Sequence, residues 1–328
     1  MPRSIAMEIL SAIVEVSRAA NQSRHHDHHH RHREDDDERE HEDGPIEHRD
    51  FEVEQFDRLE VSGPFDVEVE TGAEPGVRAS GPEWALDNLS VEHDGDRLFI
   101  GCDGEVDEVS VFVTVRELRS VRSSGSGDLT IDPIEGDSFE YSGSGSGDMA
   151  VGEIQVERLK LSASGSGDIE IEKAHASEFE ATLMGSGDLS IDEIESAGLK
   201  LTINGSGDAA IEQVHGERFE AVLSGSGDLT VESLEAKSVE CSIFGSGDIC
   251  IEEGQAVEAK LETSGSGDIG ADSLELKEAE ISVCGSGDIS VSVSKRAEIA
   301  IMGSGDVEIS GGAKCTIRGS GSGEVRCS

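Results

Sequence analysis

Along the last two thirds of the chain, aliphatic residues fall in columns 20 positions apart, and the spacing within each period repeats. Counted from the aspartate of a Gly-Ser-Gly-Asp motif, the first residue is Leu129, Met149, Ile169, Leu189, Ala209, Leu229, Ile249, Ile269, Ile289 and Val307. The third is Ile131, Val151, Ile171, Ile191, Ile211, Val231, Ile251, Ala271, Val291 and Ile309. Alternation with period 2 marks a strand with one buried face. The pattern then steps by three to the sixth and eighth residues, as in Ile154 and Val156. It steps by three again to the eleventh, thirteenth and fifteenth, as in Leu199, Leu201 and Ile203. A step of three turns a corner. Three apolar runs, two corners and one glycine turn per period predict an all-β fold: a parallel β-helix, or solenoid, of about 20 residues per coil with three short strands per coil.

The motif recurs every 20 residues from Gly125 to Gly285. It then comes at Gly303 and, as Gly321-Ser322-Gly323-Glu324, after intervals of 18. Stacking in register predicts size compensation between touching layers, because cores hold a near-constant packing density. Phe179 with Ala181 indeed falls between Leu159 with Leu161 and Leu199 with Leu201. The outward column Glu140, Lys160, Glu180, Lys200, Glu220, Glu240, Lys260, Glu280 places most opposite charges one coil apart. Exposed pairs of this kind contribute only about 0.2–1 kcal/mol each, so they report register more than stability.

Glycine suits a turn where neighbouring backbones approach closely. The aspartates of the motif are the candidate site: Asp128, Asp148, Asp168, Asp188, Asp208, Asp228, Asp248, Asp268, Asp288 and Asp306. Stacked about 4.8 Å apart, neighbouring carboxylates repel by roughly 0.9 kcal/mol in water and about 3.5 kcal/mol at an effective dielectric of 20. Two arrangements offset this. Each carboxylate accepts backbone N–H bonds, from its own turn or the next coil's, or calcium bridges successive carboxylates as a cation ladder. No cofactor is otherwise required.

Composition fits a narrow rod. The 328 residues include 40 glycines, one tryptophan and one tyrosine, and carry a formal net charge of −45. Such charge disfavours nucleic acid and anionic membranes as partners. The cysteines, at 102, 241, 250, 284, 315 and 327, form no ladder at the repeat spacing; Cys241 and Cys315 fall in core columns and Cys250 points outward.

Residues 1–20 combine Ile5, Ile9, Leu10, Ile13 and Val14 with Glu8, Glu15 and Arg18, which reads either as a degenerate signal peptide or as a short amphipathic helix. No stretch is long enough to span a bilayer as a helix. Residues 21–50 are a histidine- and acid-rich tract expected to be a disordered linker. Its His25, His26, His28, His29, His30 and His32 are candidate ligands for zinc, nickel or copper, with a plain solvated linker as the alternative. Residues 51–121 alternate irregularly and predict a β-rich N-terminal cap, with a helical turn at Trp84, Leu86 and Leu89 and a hairpin turn at Asp94-Gly95-Asp96. The repeats proper occupy 122–328.

The opening Phe56-Asp57-Arg58-Leu59-Glu60-Val61-Ser62-Gly63-Pro64-Phe65-Asp66-Val67, followed by a β-rich lead-in and then Gly-Ser-Gly-Asp repeats, resembles the putative auto-transporter adhesin, head GIN domain family. The resemblance covers roughly residues 50–328. It implies a right-handed parallel β-helix in a bacterial protein of the cell envelope or extracellular space, with adhesion to a protein or polysaccharide ligand as its role, and it supplies no catalytic residues. The readings to be separated are a non-enzymatic adhesin or scaffold, a calcium-ordered rod, and a carbohydrate-active enzyme. Uniform aspartates and scarce aromatics count against the enzyme, and His175 and His215 with Glu195 between them read as exposed face residues.

Overall fold

The computed structural model describes residues 45–104, 106 and 108–328. It is 67% strand and 2% helix, a β-solenoid of about 10 turns at about 20 residues per coil. Coils pair in parallel and in register, so that Ile171 lies beside Val151 on one side and Ile191 on the other. Phe179 sits between Leu159 and Leu199, and Ala181 between Leu161 and Leu201, so large and small side chains trade volume across layers. Within the coil Leu189–Ile203 the buried positions are 189, 191, 194, 196, 199, 201 and 203. That is the two-three-two-three-two-two rhythm of a coil with two corners.

The backbone ladder, however, continues around the corners. Most coils are therefore one strand of 13 to 15 residues, such as Met149–Ala163 or Ile289–Ile301, rather than three separate ones. Three coils break: the first between Leu129–Asp132 and Ile134–Gly143, a middle one between Leu229–Glu235 and Ser238–Ile243, and a late one between Val307–Ser310 and Lys314–Gly319. Where the period shortens to 18, pairing with the preceding coil shifts between Ala271 and Glu275 and again between Leu276 and Glu278. The two missing residues are absorbed at the corners.

The lead-in is more regular than its sequence suggests. Its strands are β1 (Ile46–Phe51), β2 (Arg58–Ser62), β3 (Asp66–Thr71), β4 (Gly76–Pro82), β5 (Leu89–Asp94), β6 (Arg97–Cys102), β7 (Ser110–Val115) and β8 (Ser120–Ser123), with the helix α1 (Glu83–Asn88) between β4 and β5. β2 pairs in parallel with β8, and β3 with Leu129–Asp132, which makes them the layer directly beneath the first repeat. β6 and β7 lie in parallel on their other sides. The antiparallel strands β4 and β1 then close the sheet edge beyond β7, and β5 closes it beyond β6. A free parallel edge is thus covered at this end.

Two expectations need correction. The tract 21–50 was expected to be linker throughout, yet residues 46–51 form β1. Ion pairs hold this strand where apolar alternation does not: Arg49 reaches Asp87 at 2.8 Å, and Arg78 reaches Asp50 at 2.7 Å. Cys315 occupies a core column beside Ala297, but few residues lie above the last coils to bury it, and it is bonded instead to Cys327. Cys241 is buried as expected and Cys250 is exposed. The 1–20 segment and the six-histidine cluster lie outside the described residues.

The glycine turns set the coil spacing. A Cβ at Gly205 would fall well inside van der Waals contact with the Gly185 carbonyl oxygen, whereas one at Gly198 would meet nothing within 4 Å. Gly205→Ala is expected to destabilise the solenoid by about 2–3 kcal/mol through steric strain. Gly198→Ala should be neutral or stabilising by up to about 1 kcal/mol. Urea midpoints of the two variants against the parent check the contrast.

Candidate functional site: the aspartate ladder and its face

The turn brings each motif aspartate above the last. The Asp168 backbone N–H donates to Asp148 Oδ1 at 2.8 Å, and the same bond recurs from Asp188 to Asp168 and from Asp208 to Asp188. It continues through Asp228, Asp248, Asp268, Asp288 and Asp306 at 2.7–2.8 Å. At the lower end Asp148 donates to Asp128 at 3.0 Å. Each of these N–H groups thus spans one coil and meets a charged acceptor. Such a bond is worth about 1.5–3 kcal/mol. From Asp148 to Asp306 the residues are exposed, so the mutual repulsion lies near its aqueous value of about 0.9 kcal/mol and the hydrogen bond prevails.

The ladder is longer than its motif. Asp128 donates its N–H to Asp66 Oδ1 at 3.1 Å, and Glu324 donates to Asp306 at 2.7 Å. Asp66 escapes a motif search because it follows Ser62-Gly63-Pro64-Phe65 and lies 62 residues before Asp128. The alternation Asp66-Val67-Glu68-Val69, matching the Asp-apolar-x-apolar of every repeat, is the signal that finds it.

The outward side chains of this arm form one face. The ten segments from Asp128–Asp132 to Asp306–Ser310 carry nineteen carboxylates and no lysine or arginine. Glu172, Asp192, Glu212, Glu232, Glu252 and Asp272 make a second acidic column four residues from the first. Partial desolvation by the stacked turns pushes the Asp148 carboxyl up, the N–H of Asp168 opposes this, and the Asp128 and Asp168 charges add to the rise. Burial followed by Asp148, Asp168 and Asp192 raises Glu170. Burial also raises Asp132, against the N–H it accepts from Glu153.

The third arm is balanced instead. Lys200 meets Glu220 at 2.6 Å and Lys260 meets Glu240 at 2.7 Å. The hydrogen bond to Glu220 raises Lys200, and that from Lys260 lowers Glu240. Near the second corner His175 Nδ1 lies 3.1 Å from Glu195, and His215 Nδ1 lies 3.5 Å from Glu235. The two histidines are two coils apart, each occupied with the glutamate of the next coil. Among the described residues no three His, Cys, Asp or Glu side chains gather to hold a metal ion. No helix among them is long and apolar enough to cross a membrane.

Residues 55–214 and 200–313 match the family described as putative auto-transporter adhesin, head GIN domain. Among solved structures, a putative adhesin from Parabacteroides distasonis is 19% identical over 86% of this chain and 97% of its own, with a TM-score of 0.36. A putative lipid binding protein from the same species is 19% identical over 86% and 96%, also at 0.36. A putative adhesin from Bacteroides fragilis is 18% identical over 86% and 96%, at 0.29. At these scores the likenesses bear on neither ligand nor function. No functionally curated protein matches the sequence. The family match spans most of the chain in both the lead-in and the repeats, and the chain belongs to the putative auto-transporter adhesin, head GIN domain family.

Proposed function

We propose that the chain is a non-enzymatic rod of the cell envelope or extracellular space, which attaches through its acidic face to an extended ligand, a protein or polysaccharide bearing cationic groups. The observation that carries this reading is the run of nineteen carboxylates across ten coils without one lysine or arginine. Registered stacking repeats that chemistry about every 4.8 Å. A repetitive partner then gains avidity from many weak contacts. The absence of a catalytic role is supported by the pairing of His175 and His215 with glutamates, and by the placement of Tyr141 in the core. Family membership supports adhesion.

A second reading, calcium ordering the ladder, draws on the exposure of the column from Asp148 to Asp306, each of whose aspartates accepts a backbone N–H through Oδ1 alone. The two differ in melting behaviour, since a ligand that binds only the folded state raises Tm. With backbone N–H groups already offsetting the repulsion, calcium is expected to raise Tm no more than magnesium does at equal concentration. A larger, chelator-reversible rise with calcium would favour the cation reading.

The same face makes a pH prediction. Asp132, Asp148 and Glu170 have raised folded pKa values, so their contribution is fully present below the unfolded pKa and is lost as pH rises through the folded value. Glu240, lowered by Lys260, acts oppositely but alone. Thermal melts should therefore show Tm rising as pH falls from neutrality towards the ordinary carboxylate range, and a fall in Tm over that interval would count against it.

Cell fractionation with N-terminal sequencing tests the location. Recovery in the envelope or medium is expected, and recovery only in the cytoplasm with Met1 or Pro2 as first residue would overturn the exported reading.

A further inference from the structure

The turns build a second face with opposite character. The four residues before each motif aspartate, from Ser124 in the first coil to Gly323 in the last, include no charged side chain in a chain of net charge −45. The flanking outward column is capped by Arg122 and Arg318, and between them, from Ser142 to Ala300, it holds a single charge, Glu262. A shallow groove of about 1030 Å³ runs along this strip from Ser62 to Ser206, and another of about 810 Å³ from Phe244 to Ser322.

Three large apolar side chains stand on the strip: Met184, Phe244 and Met302, which are 50%, 53% and 65% exposed. All occupy the position before the first motif glycine. The glycines stack 185–205–225–245 and 245–265–285–303, so Phe244 lies three coils from each methionine. Each interval is about 14 Å. Equal spacing is the condition for a two-fold axis through Phe244 to superpose the row on itself reversed.

We propose that two copies of the chain pair strip to strip and antiparallel about this axis, Phe244 against Phe244 and Met184 of each copy against Met302 of the other. A two-fold contact of this kind is isologous, each copy using the same patch. A side-by-side parallel pair would not require equal spacing. The overlap runs over eight intervals, about 38 Å, and with a strip about 15 Å wide it buries about 600 Å² per copy, the lower edge of specific interfaces. The pair is therefore of micromolar strength and stands independently of the ligand on the acidic face. Because the strip is neutral while the chain as a whole carries a net charge of −45, salt screens the repulsion and strengthens association.

Sedimentation equilibrium of the full chain tests this. The dimer fraction should rise between about 50 mM and 500 mM NaCl as screening improves. Phe244→Asp should raise the dissociation constant about tenfold or more, as loss of a central aromatic contact does. Circular dichroism and Tm confirm that this exposed substitution leaves the fold intact, and Phe244→Ala provides a milder variant. A chain that stays monomeric at about 100 μM in high salt, or a Phe244→Asp variant that associates like the parent, would overturn the proposal.

Orientation has its own test. Antiparallel pairing sets Asn204 of one copy opposite Cys284 of the other, and holds the two Cys284 side chains four coils apart, about 19 Å. A short thiol cross-linker should then join copies of Asn204→Cys through the native Cys284 and leave the parent uncoupled. Cross-linking of the parent through Cys284, or none in the variant, would refute the antiparallel arrangement.

Discussion

Every layer rests on the one below through turn glycines that carry no Cβ. At Gly205 the α-carbon faces the carbonyl oxygen of Gly185, and Ser206 donates its N–H to that same oxygen at 3.0 Å. Any side chain at Gly205 would hold the layers apart where the remaining arms must stay at ladder distance. The glycine contact therefore fixes the register of the whole coil, and with it which side chains become neighbours. Phe179 over Leu159 and Asp188 over Asp168 follow from one constraint.

Register has opposite electrostatic results on different arms. On the third arm the residue type alternates between coils, so Lys200 finds Glu220 and Lys260 finds Glu240. On the first arm the residue type is constant, and like meets like ten times. There the backbone rather than a counter-charge answers the repulsion, through the bond from Asp188 N–H to Asp168 Oδ1 and its equivalents. The turn strip between these two arms is neutral. One rod thus presents a polyanionic plane, a charge-balanced plane and an uncharged seam.

The coil was legible because its rhythm is carried by aliphatic side chains, and the burial of Leu189–Ile203 follows the columns position by position. The lead-in was harder to read because its stacking partners are far apart in sequence: Val61 lies beside Ile100 and Ser123, and Val67 beside Val111 and Leu129. No fixed interval advertises those pairs. β1 was missed for a different reason, since its Arg49 and Asp50 are held by ion pairs and not by an apolar face. The aspartates were visible as a column, but Asp66 lies outside both the motif and the 20-residue interval, and only the alternation that follows it marks its place in the ladder. Cys315 shows the limit of column logic, because an inward position at the last layers has little left to cover it.

Because each repeat contacts only its neighbours and the two ends are built from different material, whole coils could be gained or lost in the gene without disturbing either terminus. The reach of the rod then changes in increments of one strand spacing, about 4.8 Å. The sequence between the lead-in and the Cys315–Cys327 bond behaves as an adjustable ruler, whose length selection can alter while the chemistry of each graduation stays the same.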